Sequence, residues 1–506
     1  MKIIDDFLNQ ITMYRLVLYY LIGLVIVAVI YSAFNLLPYD PINIIYSSLF
    51  LVIFSDFVND LLAKIFDAPT NIESVYITAL ILVLIINPVK IVADFLFLAW
   101  AAVLSMASKY IFTINKKHVF NPAAIAVVLT AFFLKQSASW WVSNLSLLPY
   151  VIIGGLLIIR KTQREKVILT FISAAVLTLI AFNLLKGPFS FPSILSRMFF
   201  HSSLFFFAFA MLTEPLTMPN TLNLQMIFAA IVGFLFVPNV HVFSIYSTPE
   251  LALVAGNIFA YFVNPKQKLV IRLKEKIKLT ADTYDFIFPL EKKLDFTPGQ
   301  YMEWTLAHEK ADVRGNRRYF TIASSPTENE LRIGIKFYEP GSSYKKTMLA
   351  MDEKIPIVAS QITGDFTLPK DKNKKLVFVA GGIGVTPFRS IIKYLIDTNE
   401  LRDIIILYSN RYKSEIVYQD IFAEAQIKLG VKTIYTLTDI TQVPAEWMGE
   451  KGRINEEMIK KEVPDFKERI YYLSGPHNMV VGFEKALKNS GISKKNIKID
   501  FFPGFV

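Results

Sequence analysis

The strongest constraint on what this chain can fold into is where its charges lie. Residues 1–265 carry 25 Asp, Glu, Lys and Arg side chains, and the remaining 241 residues carry 70. No charge falls between Arg15 and Asp40, and 35 consecutive uncharged residues separate Glu214 from Glu250. A helix crosses a hydrocarbon core with roughly 20 apolar residues, so the first part reads as a polytopic membrane domain and the second as a soluble one. About ten spans are expected, near 15–37, 42–65, 74–89, 91–112, 120–134, 146–160, 167–185, 196–213, 222–237 and 248–264. The first lacks a small-residue cleavage site and reads as an anchor rather than a removed signal peptide.

The basic loops "TINKKH" (113–118), "RKTQREK" (160–166) and "NPKQK" (264–268) follow the fourth, sixth and tenth spans and so share one face. Positive charge favours the cytoplasm, which places the amino terminus and the soluble half there. Trp140 and Trp141 fall in a loop on the opposite face, where interfacial aromatics belong. The net charge of +11 splits into +3 for the membrane part and +8 for the soluble part. Attraction to a lipid bilayer and to anionic cofactors accounts for that sign, and nothing in the pattern suggests nucleic acid. The chain has no cysteine, which excludes disulfides, cysteine-ligated iron–sulfur clusters and thiolate catalysis. His118, His201, His241, His308 and His477 are too few and too scattered for stacked bis-histidine haems, and no metal site is expected.

From about residue 268 the hydrophobic period changes. "LVIRLKEKIKLTADTYDFIFPL" and "RGNRRYFTIASSP" alternate as strands do, with turns such as "TPGQ" between them. After residue 375 strands and helices alternate: "KLVFVA", a helix from Thr386, "DIIILYSN", another helix, "VKTIYTLT", then "ERIYYLSGP". This describes a β-barrel followed by an α/β layer. In "VAGGIGVTPFRS" (379–390), Gly381, Gly382 and Gly384 let the backbone approach a pyrophosphate, which the positive end of the following helix would face. Pro387 also suits an ordinary first helical turn. In "RRYFTIASSP", Arg318 offers a phosphate partner, Phe320 an aromatic face and Thr321 a hydrogen bond to a ring heteroatom. Taken singly, Arg318 is equally a surface cation and Phe320 a core aromatic. "PGSSYKKTML" (340–349) sets small residues and free amides at a helix start.

The order Arg-x-aromatic-Thr, Gly-Ser-Ser, Gly-Gly-x-Gly-x-Thr-Pro, Ser-Gly-Pro resembles the ferredoxin–NADP⁺ reductase superfamily over roughly 268–506. The resemblance implies that Arg318, Tyr319, Phe320, Thr321 and Ser324 bind FAD, with Gly341, Ser342 and Ser343 on its pyrophosphate. It implies that Gly381, Gly382, Gly384, Val385 and Pro387 bind the nicotinamide dinucleotide, with Thr386 near the nicotinamide and Gly475 and Pro476 in the neighbouring loop. Ser474 stands where many members carry the cysteine that assists hydride transfer. The terminal "DFFPGF" (500–505) fits the superfamily's aromatic terminus near the flavin, through Phe502 or Phe505. "LYSNR" (407–411) lies where the adenosine end is discriminated. There Arg411 or Lys413 suits a 2′-phosphate and Tyr418 suits adenine stacking, so NADH and NADPH both stay open.

In the membrane half, Asp56, Asn59, Asp60 and Asp94 are polar residues inside spans and hence functional candidates. "INPVK" (86–90), "HVFNPAAIA" (118–126) and "TEPLTMPN" (213–220) break helices, either as ordinary boundaries or as parts of a midplane site. The stretches "KYIFTINKKHVFNPAAIAVVL" and "FFFAFAMLTEPLTMPNT" resemble the D subunit of Rnf-type electron-transport complexes and the B subunit of the sodium-pumping NADH:quinone oxidoreductase, over about 70–265. That family has ten membrane helices and a threonine-linked FMN. Here no Ser-Gly-Ala-Thr motif occurs, and "NLLKGPFSFPSILSRMFF" (183–200) contains no threonine. A covalent FMN is therefore not expected, and an additional non-covalent flavin near Asn121 or Glu214 stays open.

The expected architecture is multi-domain: an α-helical membrane domain over 1–265, a six-stranded antiparallel β-barrel FAD domain over 266–372, and an α/β parallel-sheet NAD(P) domain over 373–506. The expected function is a membrane-bound NAD(P)H-dependent FAD oxidoreductase. It would pass electrons to or through its membrane domain to a quinone, a membrane flavin or an external carrier. Two other readings remain: a redox-driven or reductase-regulated ion or solute translocator, and an anchored reductase serving a soluble partner.

Overall fold

The computed structural model describes residues 7–500 except 9–10, 67–71, 115–116, 188–189, 265–268, 309–311 and 313–314. The chain divides into two compact units, one running through residue 268 and the other beginning at Leu269.

The first unit is helical. Its helix starts are written by Asx/Thr-Pro pairs: Asp40 accepts Ile42 N (2.8 Å) ahead of Pro41–Ile65, and Asn121 accepts Ala124 N (3.0 Å) ahead of Pro122–Leu134. Thr248 likewise accepts Leu251 N (3.3 Å) ahead of Pro249–Val263. A proline in the first helical turn forgoes an amide that would be unpaired anyway. These breaks overturn the expectation of ten full spans. Among the described residues four helices are long and apolar enough to cross a membrane: Met13–Ala33, Pro41–Ile65, Asp94–Ile111 and the one beginning at Glu165. The pair Phe191–Phe200 and Leu204–Met211, bent by 55°, makes a fifth if it counts as one span. Ile72–Ile85, Pro122–Leu134, Leu222–Leu235 and Pro249–Val263 are apolar but only 13–15 residues long. At 1.5 Å per residue they reach roughly 20–23 Å, short of a hydrocarbon core of roughly 30 Å.

Within the largely aliphatic core of this unit, Phe171, Phe207 and Phe236 are in mutual ring contact at 5.2–5.4 Å. Trp141, expected at an interface, is buried, its indole donating to Val83 O at 2.7 Å. Asn59 is buried and accepts the Tyr110 hydroxyl at 2.9 Å. A side chain at Gly155 would overlap the Phe209 ring, whereas one at Gly23 would meet nothing within 4 Å.

The second unit begins with seven strands rather than a six-stranded barrel. They are β1 (Leu269–Arg272), β2 (Glu275–Lys278), β3 (Thr283–Pro289), β4 (Tyr301–Thr305), β5 (Arg317–Thr321), β6 (Glu330–Lys336) and β7 (Pro356–Thr363). They form two antiparallel sheets, ordered β6–β3–β2 and β1–β7–β4–β5. The extra strand arises because the alternating run 269–278 breaks after Arg272: its first half pairs with β7 and its second with β3. Helix α1 (Ser343–Ala350) follows β6.

A six-stranded parallel sheet completes the unit: β8 (Leu376–Gly381), β9 (Ile404–Asn410), β10 (Lys432–Leu437), β11 (Glu450–Lys451), β12 (Ile470–Ser474) and β13 (Ile497–Ile499), in the order β11–β10–β9–β8–β12–β13. Every residue of β8 and β9 is buried, as expected of strands covered on both faces, and such strands read as continuous apolar runs. Helix α2 (Thr386–Thr398) packs Phe388, Ile391, Ile392 and Leu395 onto the sheet, with Phe388 stacked on Phe378 at 4.6 Å. It ends at Asn399 in the left-handed region (φ 51°), which favours Asn or Gly. Helices α3 (Gln419–Leu429), α4 (Glu456–Glu462) and α5 (His477–Asn489) complete the layers.

The Gly155→Ala substitution is expected to destabilise the full chain in detergent by about 1–3 kcal/mol through overpacking. Gly23→Ala is expected to be neutral or stabilising by up to about 1 kcal/mol, because alanine is the better helix former. Thermal unfolding of the two variants beside the parent checks both.

Candidate functional site

Strand order in the parallel sheet reverses between β8 and β12, and open α/β sheets bind ligands in the crevice beyond such a switch point. Both connecting loops there are glycine-bearing. A side chain at Gly381 would meet Met479 Sδ at 2.5 Å and Pro476 Cδ at 3.0 Å; one at Gly384 would meet Gly475 Cα at 2.5 Å. The two loops therefore touch backbone to backbone. Gly382 differs: its φ is 53° and nothing lies within 4 Å of its missing side chain. That open backbone, followed by the amino end of α2, is a concavity of amides suited to an anionic phosphate. Val385 and Pro387 are buried beneath it, and Thr386 is 6% exposed with its hydroxyl on Ile383 O at 3.2 Å.

Ser474 ends β12 and donates to Asp500 Oδ2 at 2.9 Å. Asp500 follows β13, its own amide on Leu473 O at 2.9 Å. Its second oxygen, Oδ1, is buried with no hydrogen-bond partner among the described residues. Burial pushes the Asp500 carboxyl up to about 7, against the lowering effect of the Ser474 hydrogen bond. Sequence reasoning stopped at the aromatics of "DFFPGF" and missed this acid, although a lone charge ahead of an aromatic run was a readable signal. Phe502 and Phe505 lie outside the described residues.

The barrel motifs converge on Tyr344. The Arg318 guanidinium lies 5.0 Å from the Tyr344 ring centroid, and the Phe320 ring lies 6.2 Å from it. Arg318 also donates to Arg317 O at 2.6 Å, and Tyr319 to Glu303 Oε2 at 2.9 Å. Thr321 and Ser324 are buried, the latter accepting Arg332 N at 3.1 Å. Ser342 caps α1 through Lys345 N (3.2 Å), and Gly341 directly precedes it. The next amide, Ser343 N, donates to Asp312 Oδ2 at 3.0 Å, while Ser343 Oγ lies 3.0 Å from His308 Nε2. A carboxylate thus occupies the helix start that the resemblance assigns to an FAD pyrophosphate. With an anion-accepting helix start beside an arginine and the Phe320 and Tyr344 rings, the residues fit that cofactor.

The adenosine-end candidates divide. Arg411 is exposed, its Nε 3.5 Å from Asp439 Oδ2, and its amide donates to Glu415 Oε2 at 3.1 Å. Lys413 faces Glu446 at 3.5 Å. Tyr418 corrects its expected role of stacking on adenine: it is buried, its hydroxyl donating to Asp285 Oδ1 at 2.5 Å. Asp285 is fully buried and also accepts Arg332 Nη1 at 2.8 Å. Arg389 donates to both oxygens of Glu328 (2.5 and 2.9 Å) and to Ala323 O (2.8 Å). Burial pushes the Asp285 carboxyl up despite Tyr418 and Arg332, and pushes the Tyr418 hydroxyl far up. Glu328 titrates below its ordinary range, because the Arg389 pairing outweighs its burial. These charges were also missed; a lone Asp in "TYDFIFP" and a lone Arg in "TPFRSII" marked them.

In the helical unit, Asn121 Nδ2 donates to Glu214 Oε2 at 2.7 Å, and Thr217 Oγ1 donates to the same oxygen at 3.2 Å. Asn121 and Glu214 edge a cavity of ≈ 50 Å³ that Thr78, Thr162 and Thr213 also line. Among the described residues no group of His, Asp and Glu is placed to hold a metal ion.

Residues 378–485 match the family described as the oxidoreductase NAD-binding domain. The glycine betaine monooxygenase reductase subunit of Pseudomonas aeruginosa is 25% identical over 227 residues, covering 44% of this chain and 61% of its own. A flavohemoprotein of Oceanobacillus iheyensis is 24% identical over 246 residues, covering 46% and 58%. The chain thus spans about three-fifths of the length of these relatives. Among solved structures, the cytochrome b5 reductase domain of Ulva prolifera nitrate reductase matches at 23% identity and a TM-score of 0.41, covering 47% of this chain and 98% of that one.

Two outcomes are expected. Folded Asp500 holds its proton to about 7, whereas an unfolded chain releases it near 3.8, so ionisation costs stability progressively as pH rises between those values. The melting temperature of Asp500→Asn minus that of the parent should therefore widen from about pH 4 to about pH 7 and level off above. Second, Asp312→Ala should lower the dissociation constant for FAD roughly tenfold, because the competing charge-assisted bond is worth about 1.5–3 kcal/mol; titrating cofactor-free protein with FAD measures it.

Proposed function

We propose that this chain is a membrane-bound flavoprotein oxidoreductase that takes hydride from NAD(P)H onto FAD and passes electrons to or through its membrane domain. The acceptor would be a quinone, a membrane flavin or an external carrier. The observation that carries the reading is the backbone-to-backbone contact of Gly384 with Gly475 at the sheet's switch point, inside the stretch that matches the NAD-binding family. Relatives named as a reductase subunit and a flavohemoprotein support the same chemistry. The proposed division is a membrane domain over 1–265, an FAD domain over 266–372 and an NAD(P) domain over 373–506. The apolar helices support a multi-pass membrane location, with the second unit cytoplasmic by the positive-inside rule.

Bound FAD accepts a two-electron hydride and releases electrons singly. The chain's own residues orient and hold. Arg318 and the head of α1 at Ser342–Ser343 would neutralise the FAD pyrophosphate, and Phe320 with Tyr344 would supply apolar surface. Gly382 and the amino end of α2 would take the dinucleotide phosphates, with Thr386 beside the nicotinamide. Ser474, in the cysteine position, would line the reacting face, and its hydrogen bond keeps Asp500 at hand as a buried acid. Asp439 and Glu415, flanking Arg411, oppose a further anionic 2′-phosphate, so NADH is the expected donor.

Anaerobic mixing of FAD-loaded full-length protein with NADH should bleach the flavin, faster than with NADPH. Gly384→Ala should slow bleaching by roughly tenfold or more while leaving FAD content unchanged, since a small misplacement of reacting groups is costly. An unbleached flavin in the parent protein with either dinucleotide would refute the reading. Flavin released per mole of chain, with and without residues 1–265, decides whether the membrane domain holds a flavin of its own.

A further inference from the structure

The α/β layer meets the barrel along a seam of buried charge, and one point of that seam lies against the glycine loop. Strand β6 crosses there at Gly334. A side chain at Gly334 would meet the Tyr418 hydroxyl at 2.5 Å, Thr386 Cγ2 at 2.9 Å and Asp285 Oδ1 at 3.2 Å. Tyr418, heading α3, therefore reaches out of the α/β layer and donates to Asp285 on barrel strand β3, beside the residue that ends the glycine loop. Tyr418 holds this post with φ 59°, in the left-handed region that few non-glycine residues adopt. The Arg389 guanidinium lies 5.8 Å from the Tyr418 ring centroid while its fork grips Glu328 of the barrel. Ser390 Oγ donates to Ser324 O at 2.6 Å, adding a third tie from α2.

We propose that Tyr418 is a positioning residue for hydride transfer: its hydroxyl, anchored on Asp285, clamps the Thr386 end of the dinucleotide loop against the bare backbone of Gly334. The clamp sets the separation between the nicotinamide, which the loop carries, and the flavin, which the barrel carries. The inference rests on the reading of both sites given under Proposed function. Reacting atoms must approach to about 3–3.5 Å, and a displacement of about 1 Å can cost 100-fold in rate. A rigid tie between the two cofactor-bearing layers at this point therefore controls chemistry more than binding. Tyr418→Phe keeps the ring and removes only the tie; Gly334→Ala keeps the tie's atoms and drives a wedge under them. Thr327→Ala is the control, because Thr327 Oγ1 donates to Asp397 Oδ2 at 2.5 Å in the same seam, away from the loop.

The test uses full-length protein. In cofactor-free samples, amide hydrogen exchange over 383–388 should quicken in Tyr418→Phe and Gly334→Ala and stay at the parent rate in Thr327→Ala. In FAD-loaded samples, the limiting rate of flavin bleaching by NADH should fall roughly 10- to 100-fold in the first two variants, with the NADH dissociation constant within about threefold of the parent. The charge-transfer absorbance of the dinucleotide–flavin pair should weaken alongside. Parent-like exchange and rate in both Tyr418→Phe and Gly334→Ala would overturn the proposal. So would an equal slowing in Thr327→Ala, which would mean general loosening of the seam. If one of the two variants does not fold, the other carries the test alone. A parent protein whose flavin NADH and NADPH both fail to bleach refutes the functional reading instead, and leaves the exchange result to judge the clamp.

Discussion

Two polypeptide backbones touch where β8 and β12 end, and the soluble unit is arranged around that approach. Contact at this distance is possible only because Gly381, Gly384 and Gly475 lack side chains. It brings the glycine loop and the Ser-Gly-Pro loop into one crevice, points the amino end of α2 toward the opening, and seats Ser474 and Asp500 at its floor. The sheet beneath must be rigid to hold this geometry, and the fully buried β8 and β9, clamped by the Phe378–Phe388 stack, supply that rigidity.

The seam between barrel and sheet combines charge with apolar contacts such as Phe366 on Phe388 and Tyr472 (5.6 and 5.1 Å). Removing Asp285, Arg332, Arg389 and Glu328 from water is costly, and a buried ion pair often does little better than break even against apolar packing. Here Asp285 accepts from both Tyr418 and Arg332, Arg389 donates to Glu328 and to Ala323 O, and Glu328 also accepts Ser325 N. The benefit of such a network is directional. Apolar surfaces slide, whereas a bidentate guanidinium–carboxylate pair has one geometry, which fixes how the barrel sits on the sheet.

The helical unit solves a different problem. Its backbone has few polar partners outside itself, so each interruption of a helix must be satisfied locally. Capping side chains at Asp40, Asn121 and Thr248 do this, and the Asn121–Glu214–Thr217 cluster satisfies the break between Phe207–Met211 and Leu222–Leu235. Those interruptions shorten the helices, and a cavity edged by Asn121 and Glu214 lies among them.

Local sequence determined more of the α/β layer than of anything else. "KLVFVA", "DIIILYSN", "VKTIYTLT" and "ERIYYLSGP" each became the strand expected, and the helix after the glycine loop starts at Thr386 as expected, because continuous apolar runs and glycine punctuation are short-range signals. The barrel was legible as strands but not as seven, since the break after Arg272 is decided by which strand each half pairs with. Hydropathy marked the helical unit but overcounted its full-length spans, because apolar composition does not register where a capped proline starts a new helix. The meeting of Arg318 with Tyr344, of Asp312 with Ser343, of Ser474 with Asp500, and of Tyr418 with Asp285 across 133 residues belongs to the tertiary structure alone. Composition and periodicity decide which residues leave water. Only long-range packing decides which buried charge meets which partner.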